Sequence, residues 1–204
     1  MSITPQKIVL ASGNPGKLRE MQQTLGSSDV VFIPQTGLDV PEAEETGLSF
    51  VENAIIKARN ACEATGLPAI ADDSGLEVDA LNGEPGIYSA RYAGDSSASA
   101  DSSNNARLLR ELEGVPDAQR SARFHCVIVY MRHANDPMPL ICQGTWEGRI
   151  LPGERGVNGF GYDPLFYVEE YACASAELDP SVKNKLSHRG QAIRQLLKCW
   201  NSRR

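Results

Sequence analysis

The sequence predicts an α/β protein built on a mixed β-sheet. Short apolar runs bounded by turn residues are interspersed with helical stretches, and their order is too irregular for strict βαβ repetition, which argues against a Rossmann fold. The chain has 204 residues, of which 41% are hydrophobic and 23% charged. That is enough apolar material for one sizeable core and few residues for two independent ones, so a single domain over 1–204 is expected.

In chain order, Lys7 to Ala11 reads as a buried strand, Gly16 to Leu25 as a helix and Val30 to Ile33 as a second strand. Ser49 to Thr65 is the clearest helix. Ser49 and Glu52 have capping-box spacing, and Asn53 and Lys57, four apart, share a face. Pro68 to Ala71 reads as a short strand running into Asp72-Asp73-Ser74-Gly75. Leu76 to Leu81 reads as another, so a hairpin is expected between them. A Ser-Ala stretch over 96–103 reads as an exposed loop that leads into a helix near Asn104 to Glu113, stopped by Gly114-Val115-Pro116. Arg123 to Met131 is strongly β in character, Asn135-Asp136-Pro137 is a turn, and Leu140 to Ile150 returns as a strand. An aromatic-rich segment covers Gly159 to Val168, and the chain closes with a helix from about Arg189 to Trp200.

Composition narrows the function classes. No run approaches the roughly 20 apolar residues of a membrane-spanning helix, and Met1 to Leu10 lacks the basic start and long apolar middle of a secretory signal. A cytoplasmic protein is the expectation. The net charge of -6 disfavours a grip on a nucleic-acid polymer but leaves small anions open. Five cysteines without a CxxC pair point to reduced structural thiols. The three histidines have no zinc-ligand spacing.

Four constellations could carry chemistry. Ser12-Gly13-Asn14-Pro15-Gly16-Lys17 lies between a strand and a helix, where backbone N–H groups, the helix N-terminus and Lys17 suit a polyphosphate. It is not a Walker A loop, and an ordinary strand-to-helix turn with a solvated lysine is the alternative. Glu42, Glu44 and Glu45 precede the Ser49 helix, while Asp72 and Asp73 end an apolar strand. Paired carboxylates there are costly unless a cation such as Mg2+ answers them, and a solvated Asp-Ser-Gly turn is the other reading. Phe160-Gly161-Tyr162-Asp163-Pro164 offers an aromatic face and a carboxylate to a base, or simply a core strand ended by a Pro turn. Lys183 and Ser187-His188-Arg189-Gly190 place cations at a helix start, where they oppose the macrodipole and suggest a purpose other than stability. Solvent exposure would make that penalty small.

Together these segments resemble the inosine triphosphate pyrophosphatase family, in its bacterial dITP/XTP pyrophosphatase branch. The matching residues are Ser12 to Lys17, Glu44-Glu45-Thr46-Gly47, Glu52-Asn53-Ala54 with Lys57, and Ala71 to Leu76. Pro85 to Tyr92, Phe160 to Pro164 and Ser187 to Gly190 complete the set, in order along nearly the whole chain.

The resemblance implies an elongated mixed sheet with flanking helices, two lobes around an active-site cleft, and a homodimer. It implies Mg2+-dependent hydrolysis of ITP, dITP and XTP to the monophosphate and pyrophosphate, clearing deaminated purines from the nucleotide pool. Carried over by position, Ser12, Gly13, Asn14, Pro15, Gly16 and Lys17 would hold the triphosphate. Asp73 would act as general base and metal-side carboxylate, with Glu44 as the second acidic group at the metal. Lys57 and Ser74 would contact substrate. Phe160, Gly161, Tyr162, Asp163, Lys183, His188 and Arg189 would form the base pocket.

That pocket has a physical logic. Hypoxanthine and xanthine present a 6-oxo group and a ring N1–H, which His188 or Arg189 and Asp163 could satisfy, whereas adenine would leave those groups unpaired. The rival readings are a pyrophosphatase for other modified nucleotides and a nucleotide-binding sensor without turnover. Intact Asp73 and Glu44 speak against the sensor.

Overall fold

A computed structural model describes residues 5–26, 30–94 and 100–201. Its strands are β1 (Gln6–Ala11), β2 (Val30–Pro34), β3 (Ala69–Val78), β4 (Ser121–Met131), β5 (Leu140–Ile150), β6 (Phe166–Val168) and β7 (Cys173–Ala174). Its α-helices are α1 (Pro15–Leu25), α2 (Phe50–Thr65), α3 (Ala100–Glu111), α4 (Pro180–Leu186) and α5 (His188–Asn201). The strands form one seven-stranded sheet in the order β2-β1-β3-β4-β5-β6-β7. β1 runs parallel to β2 and β3, while β6 runs antiparallel to β5 and β7, so the sheet is mixed as expected.

Contacts divide the chain into two compact units. The first comprises residues 1–73, 126–144 and 189–204, and the second 74–125 and 145–188. β3, β4 and β5 each lend residues to both.

In the first unit, strand alternation builds a core on each face. Ile8, Leu10, Ile70, Cys126 and Ile128 join Met21 and Leu25 of α1 and Ala192, Ile193 and Leu196 of α5. The intervening residues Val9, Ala11, Ala69, Ala71, Val127 and Val129 join Ala54, Ala58, Ala61 and Cys62 of α2. A period of two in the strands and of three to four in the helices is what brings these side chains together. α2 starts at Ser49, whose hydroxyl accepts from the Glu52 N–H at 3.4 Å, and stops at Gly66 in the left-handed region (φ 66°). The reciprocal bond of the capping box falls one residue early: Glu52 Oε2 accepts from the Leu48 N–H at 3.0 Å and from the Ser49 hydroxyl at 2.7 Å.

In the second unit, Leu76, Val78, Phe124, Trp146, Ile150 and Phe166 pack with Leu108 of α3 and with Leu112 just beyond its end. Thr145 and Glu147, which alternate with Trp146 on β5, are exposed.

The structure corrects the sequence reading at three places. Asp72-Asp73-Ser74-Gly75 is not a hairpin turn but the middle of one ten-residue strand, β3. A 3-10 turn over Asp79–Leu81 takes the end of the second expected strand. Of the loop expected over 96–103, residues 96–99 lie outside the described residues, and 100–103 already belong to α3. α4 is an addition, opened by the Asp179 carboxylate accepting the Ser181 N–H and by Pro180 in the first turn. No helix among the described residues is long and apolar enough to cross a membrane.

Candidate functional site

β1 and β3 are in parallel register with Ala11 opposite Ala71. The residues that leave these two positions, the Ser12–Lys17 loop and Asp72-Asp73, therefore emerge side by side. Ligands of α/β sheets bind at carboxyl ends such as that of β1, and here mid-strand residues of β3 lie beside it. Lys17 Nζ lies 3.3 Å from Asp72 Oδ2.

Much of the loop's hydrogen bonding is internal. Asn14 Oδ1 caps α1 by accepting from the N–H groups of Gly16 (2.8 Å) and Lys17 (3.1 Å), and Ser12 Oγ accepts from the Asn14 N–H at 3.2 Å. Lys17 is thus the loop's main cationic feature, and Gly13, Asn14 and Pro15 are exposed beside it. A Cβ on Gly13 would come within 2.7 Å of Glu42 Oε1, so the acidic segment lies against the loop.

Lys57 of α2 donates to Asp73 Oδ1 at 2.8 Å and to Glu45 Oε1 at 2.9 Å. Asp73 is 6% exposed, and its Oδ2 is buried with no hydrogen-bond partner among the described residues. Burial raises the Asp73 pKa above the ordinary carboxylate value and outweighs the opposing pull of Lys57 and Lys17. Burial also disfavours the Lys57 ammonium, but Asp73, Asp72 and Glu45 together overcome it and raise the lysine's pKa. The two shifts agree because the lysine answers three carboxylates, whereas Asp73 sits against burial and a like-charged Glu45.

Asp72 is 1% exposed. Burial would raise its pKa, yet Lys17, Arg189 and Lys57 hold it well below the usual carboxylate range. Arg189 donates to Asp72 Oδ2 through Nε (3.3 Å) and Nη2 (3.1 Å), and through Nη1 to Glu20. The base contact expected of Arg189 is not what these partners give: its guanidinium is enclosed by two carboxylates. Glu20 carries no motif signal, although it lies one turn after Lys17 on α1.

Glu44 is exposed, and its carbonyl accepts from the Thr46 N–H at 3.1 Å. Of the two neighbouring glutamates, Glu45 is the one that shares Lys57 with Asp73. Buried Asn53 supports this segment by accepting from the Gly47 N–H at 2.8 Å.

The second cluster lies within the other unit. Asp163 is buried with both oxygens engaged: Oδ2 accepts from Lys183 Nζ (2.6 Å) and the Phe160 N–H (2.8 Å), and Oδ1 from the Ser175 hydroxyl (2.8 Å). Asp163 is therefore the clasp of the Phe160–Pro164 loop, with three of a carboxylate's roughly four acceptor positions taken. Lys183 Nζ also lies 5.1 Å from the centre of the partly exposed Phe160 ring. Tyr162 is a core side chain whose hydroxyl donates to the Ser89 carbonyl at 2.8 Å. His188 is buried and stacks on Phe124, with ring centres 4.7 Å apart and planes 15° from parallel. Ser74 is half-buried on β3. Ser175 went unseen in the sequence because an isolated serine in an Ala-rich stretch carries no motif.

The chain is similar to known proteins along nearly its whole length. A dITP/XTP pyrophosphatase of Vibrio cholerae is 59% identical over 199 residues, which is 98% of this chain and 98% of the relative. Its namesake in Thioalkalivibrio sulfidiphilus is 59% identical over 197 residues, 97% of this chain and 100% of the other. The solved structure of a HAM1 protein from Coxiella burnetii is similar with a TM-score of 0.88 at 55% identity, covering 97% of this chain and 99% of that one. The Staphylococcus aureus Ham1 protein gives 0.85 at 42% identity, covering 98% and 100%. A model of the Ham1 family matches residues 8–199, a span that takes in both clusters, and the chain belongs to that family.

Proposed function

We propose that this protein hydrolyses the triphosphates of deaminated purines, dITP, ITP and XTP, to the monophosphate and pyrophosphate. The near full-length relatives named dITP/XTP pyrophosphatase support the reaction. The observation that carries it to particular atoms is Asp73: one carboxylate oxygen is fixed by Lys57, and the other is buried and without a hydrogen-bond partner among the described residues.

A carboxylate with a raised pKa is suited to take a proton from water. Asp73 is the general base in this reading. It orients a water toward the α-phosphorus and accepts its proton, while Lys57 keeps the carboxylate from rotating. Lys17 and the exposed residues Gly13, Asn14 and Pro15 of the Ser12–Lys17 loop hold the phosphates, and Lys17 opposes the charge that grows on the departing pyrophosphate. Asp72, tied to Arg189, fixes the height of β3 and the place of Lys17. In the second unit, Phe160 offers its ring face to the base, and Lys183 and His188 supply donors for the 6-oxo group. Ser74 contacts substrate. The absence of a required nucleophile accords with the cysteines, of which Cys62, Cys126 and Cys142 are buried with thiol pKa values pushed up, chiefly by burial.

The residues fit a divalent cation of the Mg2+ type. No three His, Cys, Asp or Glu side chains cluster as a metal cage among the described residues. Mg2+ needs none, because it takes one or two carboxylates, several waters and substrate phosphate oxygens. Asp73 Oδ2 and the exposed Glu44 carboxylate are hard oxygen donors of that kind, and Glu45 shares Lys57 with Asp73. Bound there, Mg2+ would neutralise charge on the phosphates. The active form is a homodimer in the cytoplasm.

The test is pyrophosphate release from ITP, XTP, GTP and ATP by purified protein, with and without Mg2+. Fast Mg2+-dependent release from ITP and XTP with little from ATP and GTP is expected. Equal release from all four would keep the reaction and remove the base selectivity. No release from any would favour a nucleotide-binding sensor.

A further inference from the structure

Two residues of α3 grip the peptide groups on either side of Gly161. Asp101 Oδ2 accepts from the Gly161 N–H at 2.7 Å, and Asn105 Nδ2 donates to the Gly161 carbonyl at 3.2 Å. Asp101 and Asn105 are four apart on one helix and so stand on one face. Asn105 is itself buried (3% exposed) and braced by Glu154 Oε1 at 2.9 Å. Gly161 has φ +61°, a conformation that side-chain-bearing residues rarely adopt. Its geometry is set by these bonds and not by local preference alone.

The consequence falls on Phe160. Its own N–H is held by Asp163, and the next N–H in the chain is held by Asp101. The backbone on both sides of the aromatic ring is thereby fixed, one side from within the loop and the other from α3. The helix is anchored in turn, because Asn104 Oδ1 accepts from the Ala93 N–H at 2.7 Å and Asn104 Nδ2 donates to the Ser89 and Ala90 carbonyls.

We propose that Asp101, assisted by Asn105, is a positioning residue for base selection, acting on Phe160 through the Gly161 peptide. The proposal rests on the reading that Phe160 meets the purine. Neither residue touches substrate in this scheme. Their work is to hold a ring at one angle, because a site discriminates only when its contacts are held within about half an ångström of the productive geometry.

The experiment compares kcat/KM for ITP and for ATP in the wild type, Asp101→Ala, Asp101→Asn and Asn105→Asp, with thermal melting as a control for folding. Asp101→Ala should lower the ITP:ATP ratio roughly fivefold, the loss appearing in KM, as expected for one mispositioned hydrogen-bonded contact. Asp101→Asn keeps an acceptor oxygen and should restore the ratio, whereas Asn105→Asp, which turns a donor into an acceptor facing a carbonyl, should lower it. An unchanged ratio in both Asp101→Ala and Asn105→Asp would overturn the proposal, since lost stability alone lowers both substrates together. If the wild type itself fails to prefer ITP, the reading of the base loop falls instead. Exchange of the Gly161 amide with solvent then decides the clamp: slow in wild type and faster in Asp101→Ala supports it, and equal rates overturn it.

Discussion

Lys57 Nζ sits 2.8 Å from Asp73 Oδ1, although the two side chains come from α2 and β3, sixteen residues apart. The contact leaves Asp73 with one oxygen committed and one buried and without a hydrogen-bond partner among the described residues. A carboxylate that served only to balance the lysine would gain by presenting both oxygens to donors.

The first prediction follows from that asymmetry. Asp73→Asn keeps an oxygen for Lys57 and removes the proton acceptor. Turnover of ITP should fall on the order of a thousandfold, the usual worth of a placed general base. Affinity for a non-hydrolysable ITP analogue should stay within a few-fold of wild type. A kcat close to wild type would move the general base elsewhere.

The second prediction concerns pH. Burial raises the Asp73 pKa, and Lys57 pulls against it. The base works deprotonated, so kcat/KM should fall on the acid side with an apparent pKa above the ordinary aspartate value of about 3.9. Lys57→Met removes the cation that favours the charged form, so the acid limb should move to higher pH as well as the rate dropping. Both proteins are measured on the same substrate, so any ionisation of the triphosphate cancels in the comparison. A limb that stays put or moves to lower pH would contradict the assignment.

The contrast between Asp73 and its neighbour shows where sequence reading reached and where it stopped. A short apolar run marked β1, β-forming residues marked β4 and its return β5, and Ser49 with Glu52 marked the start of α2, because those signals are local. Asp72-Asp73-Ser74-Gly75 misled because Asp, Ser and Gly are turn formers, and what holds them in a strand lies elsewhere. Lys17, Lys57 and Arg189 answer the charges, the last from 117 residues away. The pairing of Arg189 with Asp72 and Glu20 stayed out of reach for the same reason: a motif shows adjacency to His188 but not which way each side chain of a helix start points. Asp163 was visible as part of a motif, whereas its use as a clasp depends on Ser175 and Lys183, which no spacing connects.

The third prediction tests Arg189 as a brace. Breaking a buried ion pair from one side leaves an uncompensated charge and costs about 3 kcal/mol or more. Arg189→Met should lower stability to urea by about that amount, since Asp72 and Glu20 both lose a partner. The pH dependence has a definite sign. The folded-state pKa of Asp72 lies below its unfolded value, so its contribution is full above about pH 4 and is lost as the pH falls through the folded value. In Arg189→Met the depression shrinks, so the stability gained between acid and neutral pH should shrink with it. A full-strength acid dependence in the variant would assign the effect to other carboxylates.

The last prediction returns to the base. His188 is buried and lies flat on Phe124, an arrangement that fixes the plane of its ring and hence the direction of its polar edge. A donor held in that way rewards a 6-oxo group and gains little from adenine. His188→Ala should therefore reduce kcat/KM for ITP by roughly tenfold and change the slow use of ATP much less. His188→Phe separates the two contributions of the ring, since it preserves the stack on Phe124 and removes the polar edge. If it behaves like His188→Ala, the edge reads the base. If it behaves like the wild type, the histidine is a packing residue and recognition of the 6-oxo group passes to Lys183, whose Nζ already reaches across the Phe160 ring to Asp163.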